Sequence, residues 1–196
     1  MPKIVAAADR LAAELASAEP SLDQIALAIS VLDTRPSDES FAFRELDKWA
    51  VHVLARGEGA PDLGHVCTVL GEQLALTANP DDYDAPENSF LPRVLLSHHA
   101  LPILASVVWI EVGRRCDVAL FGIGLPGHFV VGHQLPSGEL AVVDALNGGT
   151  QLTPVAVNAL VLRAGARFHP EMLAPASTHS IAVRMLRNLV GTYVRR

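Results

Sequence analysis

LPGHFVVGHQLPSGELAVVDALNGG, residues 125–149, decides how this chain folds. Two apolar runs flank the turn-forming segment Leu135-Pro136-Ser137-Gly138-Glu139. That segment suits a three-residue hairpin loop: a type I turn opened by Pro136, then Gly138 in the left-handed conformation as a bulge. In this register Leu135 faces Glu139, and Val130 faces Asp144. His128 stands two residues before Val130, so it shares a face with Asp144 as its diagonal neighbour. Diagonal neighbours lie roughly 7–8 Å apart at Cα, a gap that an imidazole and a carboxylate can close. A two-residue loop would slip the pairing by one and place the two groups on opposite faces.

An aspartate that accepts from one imidazole nitrogen fixes the tautomer and raises the basicity of the other, as a general base requires. The same pair also reads as a histidine satisfied by a carboxylate at the end of a hairpin. Pro126-Gly127 before His128 and Asn147-Gly148-Gly149 after Asp144 let backbone approach the pair closely.

Outward from the hairpin the elements separate by period. Residues 118–123, 129–134 and 140–144 alternate as three short strands, whereas the rest of the chain carries helical spacing. Leu11 and Leu15 belong to a first helix that ends at Pro20-Ser21. Ser21 and Gln24 have the spacing of a capping box for a second helix carrying Ile25, Ile29 and Leu32. Residues 33–40, with Pro36 inside, read as a loop. Phe43, Leu46, Trp49, Ala50 and Val53 form the stripe of a third helix over 41–54. A linker at 57–64 precedes a fourth helix over 65–76.

Residues 78–87, ANPDDYDAPE, are polar and turn-rich and divide the chain into an all-α subdomain, 1–78, and an α+β core, 79–196. Asn88 is placed as the N-cap of a short helix reaching 96. The longest apolar run, 101–110, opens a buried helix with Pro102 at its first position, where a missing N–H costs nothing. Its ten residues span about half a bilayer, so it is a core helix. Helices over 155–164 and 180–194 close the chain, the last with Ile181, Met185, Leu186, Leu189 and Tyr193 on one face and arginines on its exposed side. Helices followed by antiparallel strands make the fold class α+β.

The chain has 196 residues, 50% hydrophobic and 18% charged, with net charge −6. The apolar fraction excludes disorder, and the acidic balance argues against nucleic-acid binding. The N-terminus lacks the pattern of a signal peptide, so a cytoplasmic protein with reduced thiols, away from the membrane, is expected. Cys67 and Cys116, the two cysteines, form no CxxC pair, which argues against a zinc knuckle or a disulfide scaffold.

Asp82-Tyr83, Asn88-Ser89-Phe90-Leu91, LPILASVVWIEVGRR, GIGLPGHF, VVDALNGG and the terminal RMLRNLVGTYVRR together resemble the SirB-type branch of the transglutaminase-like superfamily. The resemblance implies a helical N-terminal half packed on a papain-like core with a small antiparallel sheet. In that core a Cys at the N-terminus of a buried helix attacks an amide or thioester carbonyl, activated by a His and then an Asp on adjacent strands. By resemblance His128 is the base and Asp144 its orienter. The nucleophile position falls on Pro102, so the attacking thiol is missing.

Cys116 lies at the far end of the same helix, roughly 20 Å away at 1.5 Å per residue. Ser106, one turn past Pro102, and Ser97 are alternative hydroxyls, although Ser106 in its apolar setting is expected to bond a carbonyl one turn earlier. His98 and His99 are placed at the cleft rim, where related sequences carry arginines suited to an anionic ligand. With His128 and His133 they raise a zinc reading, which the opposite strand face of His133 disfavours. The expectation is therefore a module without a cofactor or metal that binds a small-molecule or peptide ligand beside His128, Asp144, His98, His99, Asn88, Ser106 and Asn147. The alternative is an acyl-transfer or amide-hydrolysing enzyme using His128. The exposed last helix is the candidate surface for a homodimer.

Overall fold

The computed structural model describes residues 2–35 and 38–196. Pro36 and Ser37, inside the expected loop, lie outside the described residues. The fold is α+β, with helices α1 (Pro2–Leu15), α2 (Leu22–Ser30), α3 (Glu39–Arg56), α4 (Leu63–Val66), α5 (Leu91–Ser97), α6 (Pro102–Arg115), α7 (Pro154–Arg163) and α8 (Thr178–Arg195). One antiparallel sheet, in the order β1-β2-β3-β4, comprises β1 (Leu120–Leu125), β2 (His128–Gln134), β3 (Leu140–Asp144) and β4 (Thr150–Gln151).

The centre of the molecule is α6. It is apolar nearly all round, and every residue from Pro102 to Gly113 is buried. A helix of this kind cannot face water on any side and must be enclosed. Helices α2, α3, α5 and α8 and strands β1 and β2 enclose it, and Trp109 is fully buried at its middle. Burial of a large apolar side chain is worth about 1.5–3 kcal/mol, so this helix carries much of the folding free energy. It ends at Cys116, and Asp117 follows with φ +58°, which turns the chain towards the sheet.

The hairpin has the expected register. Gln134 pairs with Leu140 and Val131 with Val143. Leu135 N–H donates to the Glu139 carbonyl at 2.9 Å, Gly138 N–H donates to the Leu135 carbonyl, and Gly138 has φ +87°. Strand alternation then sorts the side chains. Phe129, Val131 and Val143 pack with α6 and α8, while Leu125, Val130 and Val142 pack with Val157 and Val161 of α7.

Several local expectations are corrected. Ser21 makes no capping bond to the helix backbone, because its hydroxyl turns to Asp23. The first free N–H of α2 is instead satisfied by Glu111 of α6. The fourth helix starts earlier, with a capping box between Asp62 and His65, and it widens into a π-helix over Cys67–Leu74. There Gly71 lies against the Gly148 carbonyl, where a Cβ would collide. The first strand begins at Leu120, not 118, and Thr150–Gln151 adds a short fourth strand. Tyr193 is exposed, and Thr192 takes its place on the inner face of α8. Among the described residues no helix is long and apolar enough to cross a membrane.

Candidate functional site

A cleft of about 300 Å³ opens where the N-terminus of α6, the turn between β1 and β2, and α8 meet. Pro102, His128 and Phe129 line it, together with Arg184, Arg187 and Asn188 of α8. The hairpin delivers His128 because Gly127 takes φ +68° in the turn, and the ring Nε2 lies 3.0 Å from Asp144 Oδ2. Asp144 is itself held in place, its Oδ1 accepting from Leu146 N–H at 3.2 Å. With Nε2 on the carboxylate, Nδ1 of His128 is the nitrogen left over; it makes no hydrogen bond among the described residues. Both side chains are largely buried, 18% and 10% exposed, so the contact is shielded from water and competes with little solvent.

The pair springs from the sheet face that carries Leu125 and Val130, on the α7 side, while α6 packs against the Phe129 face. Pro102 and His128 thus border one cleft from opposite faces of the hairpin. Among the described residues no cysteine, serine or threonine lines the cleft; its one hydroxyl is the phenol of Tyr83. Cys67 lines a separate cavity beside Asp62 and His133, and burial, aided by the Asp62 charge, pushes its thiol up to about 11. Cys116 is buried at the other end of α6 and directs its sulfur to the Val112 carbonyl. Ser106 is fully buried, and its hydroxyl donates to the Pro102 carbonyl at 2.9 Å.

None of the five expected binding residues, His98, His99, Asn88, Ser106 and Asn147, lines this cleft. His98 and His99 are drawn away by a parallel bridge to Thr77: Thr77 N–H donates to the His98 carbonyl and Ala100 N–H to the Thr77 carbonyl. Asn147 is exposed in the loop after β3, where its carbonyl accepts from Thr150. Asn88 is no N-cap. It is buried, and its side-chain amide donates to the carbonyls of Asp82 and Tyr83 at 3.0 Å, which sets the segment that forms one wall of the cleft. The N-terminus of α5 is served by Ser30, whose hydroxyl accepts from Leu91 N–H. His133 bonds the Ala119 carbonyl, and no group of three or more metal-ligating side chains occurs among the described residues.

The arginines of α8 are not a plain exposed face. Arg184 reaches inward, stacks over the Phe129 ring at 5.2 Å, and donates through Nη2 to the carbonyls of Leu125 and His128 at 2.8 and 2.6 Å. Arg195 and Arg196 pair with Asp84 and Asp82. The sequence signal was present in the spacing: 184, 188, 191 and 195 recur at i, i+4, i+7 and i+11, one strip beside the apolar stripe.

The structure thus joins a buried helix that opens onto a cleft to an antiparallel hairpin carrying His128 and Asp144. The family model described as the transglutaminase-like superfamily matches residues 4–187, and the chain belongs to that superfamily. It is 37% identical over 135 residues to a UPF0162 protein of Xylella fastidiosa (strain Temecula1 / ATCC 700964), covering 63% of this chain and 46% of that one. It is 26% identical over 180 residues to the UPF0162 protein PA3419 of Pseudomonas aeruginosa, covering 89% and 66%. It is also 26% identical over 130 residues to F-box only protein 21 of Homo sapiens, covering 63% and 20%. The chain thus spans about half the length of the Xylella relative. No solved structure matches it.

Proposed function

We propose that this chain is a SirB-type member of the superfamily that has lost its nucleophile, and that it works as a non-catalytic or regulatory module. It binds a peptide, amide or acyl ligand in the cleft beside His128 and Asp144. One observation carries the reading: the N-terminus of α6, which opens into the cleft, bears Pro102, and neither cysteine comes to the cleft. The α7-side origin of the His128–Asp144 pair, turned from α6, supports the same reading.

A second reading has its own observation. The 3.0 Å contact between Nε2 and Asp144 leaves Nδ1 as a base that could activate water for acyl transfer or amide hydrolysis. Assay of the wild type against amide, ester and thioester panels separates the two. No turnover, with saturable binding of a cellular ligand, supports the module. Turnover that disappears in a folded His128→Ala variant overturns it in favour of the enzyme.

A further inference from the structure

The cleft carries an imbalance of charge that the His–Asp pair does not use. Arg184, Arg187 and Arg195 line it, and Asp84 is the only carboxylate among the described residues that does so. Asp84 is already engaged, since both its oxygens accept from Arg195 at 2.6 and 3.1 Å. Arg187 makes no hydrogen bond or ion pair among the described residues, and the same holds for the side-chain amide of Asn188.

Arg184 is the more telling group. It is half-buried, its Nη2 is satisfied only by two carbonyl dipoles, and its Nε and Nη1 make no hydrogen bond among the described residues. Gly124 leaves room for it, since a Cβ there would stand 3.1 Å from Nη1. Burial lowers its pKa with no carboxylate to oppose the shift. A partly desolvated cation met by carbonyl dipoles and a ring face, with no carboxylate partner among the described residues, gains from an anion brought alongside it. Positions 184, 187 and 188 are i, i+3 and i+4, so the three side chains converge on one face of α8 above the cleft. Pro102, Ile103 and Phe129 supply an apolar part of the lining, with Phe129 directly beneath Arg184.

We propose that this cleft is an oxyanion site that holds the carboxylate or phosphate of a small acyl or amide ligand between Arg187, Asn188 and the free edge of Arg184. The neutral end of the ligand lies against Pro102. The proposal deepens the ligand-binding reading above and rests on it. A volume of about 300 Å³ accommodates a ligand of amino-acid size.

The test is an NMR titration of the full chain with N-acetylglycine, with its neutral counterpart N-acetylglycinamide, and with inorganic phosphate. N-acetylglycine is expected to shift the amides of Gly127, His128, Arg187 and Asn188 saturably, and N-acetylglycinamide to bind about tenfold more weakly. Arg187→Gln, at an exposed position that keeps the fold, should weaken the anion about tenfold and leave the neutral amide unchanged. Arg163→Gln on α7 is the control and should change nothing. Phosphate that displaces N-acetylglycine from these residues assigns the natural group to a phosphate; phosphate that fails to do so assigns it to a carboxylate. Equal binding of the charged and neutral probes, insensitive to Arg187→Gln, overturns the anion site while the ligand-binding reading survives. No shift in these residues with any of the probes overturns both.

Discussion

Glu111 and Leu22 are far apart in the chain, yet the Glu111 carboxylate accepts the backbone N–H of Leu22 at 2.9 Å. The first turn of α2 is thereby capped by the side chain of α6, which joins the N-terminal helices to the helix that opens the cleft. The other oxygen of Glu111 accepts from Arg114 and Arg115, at 2.8 and 2.7 Å, and Arg115 continues to Asp23 and Asp47.

Glu111→Ala strips this network of its centre. Glu111 is 2% exposed, and its loss leaves the Leu22 N–H without its acceptor and takes from the largely buried Arg115 one of the three carboxylates it meets, Asp23 and Asp47 remaining. Removal of one partner of a buried pair costs about 3–5 kcal/mol. Urea denaturation should show a loss of that order, with Glu111→Gln, which still accepts from Leu22, losing less.

Acid should act on the same network. Burial pushes the Asp23 carboxyl up, but the bonds from Arg115 and Ser21 outweigh it and hold it below its ordinary 3.8. A group with a lowered folded-state pKa contributes stability that is complete above the unfolded value and is lost as pH falls through the folded one. The chain should therefore keep this contribution at neutral pH and lose it below about pH 4. Denaturation midpoints measured against pH should show a shallower acid limb for Asp23→Asn than for the wild type.

Pro102→Cys places a thiol at the mouth of the cleft. A helix N-terminus favours the thiolate, whereas Cys67, held near 11, is ionised in roughly one molecule in 10⁴ at pH 7. Alkylation by iodoacetamide, followed by mass spectrometry, should modify position 102 at least tenfold faster than Cys67 or Cys116. Equal or slower labelling would show that the N-terminus of α6 does not favour a nucleophile.

Gly149→Ala should destabilise the turn that follows Asp144. Gly149 has φ +71°, and a Cβ there would stand 2.5 Å from Cη2 of Trp109. The Gly149 N–H also donates to the Asp144 carbonyl at 3.1 Å. Strain in the left-handed region and overpacking each cost about 1–3 kcal/mol. The expected sign is a lower denaturation midpoint, with Gly138→Ala milder because nothing lies within 4 Å of its added methyl.

The sequence alone determined the hairpin around residues 135–139, its register, the meeting of His128 with Asp144, and the burial of α6. Each follows from local chemistry: a turn that only certain residues can make, a strand period of two, and a helix with no polar side. Tertiary structure decided the rest. It drew His98 and His99 to Thr77, and it turned Asn88 from a cap into a strut for the Tyr83 wall. It also gave the capping of α2 to Glu111 and of α5 to Ser30. The inward turn of Arg184 belongs here too, since its partners are carbonyls of a hairpin 56 and 59 residues away. Backbone acceptors have no side-chain signature, so no spacing in the sequence announces which of them a distant arginine will find.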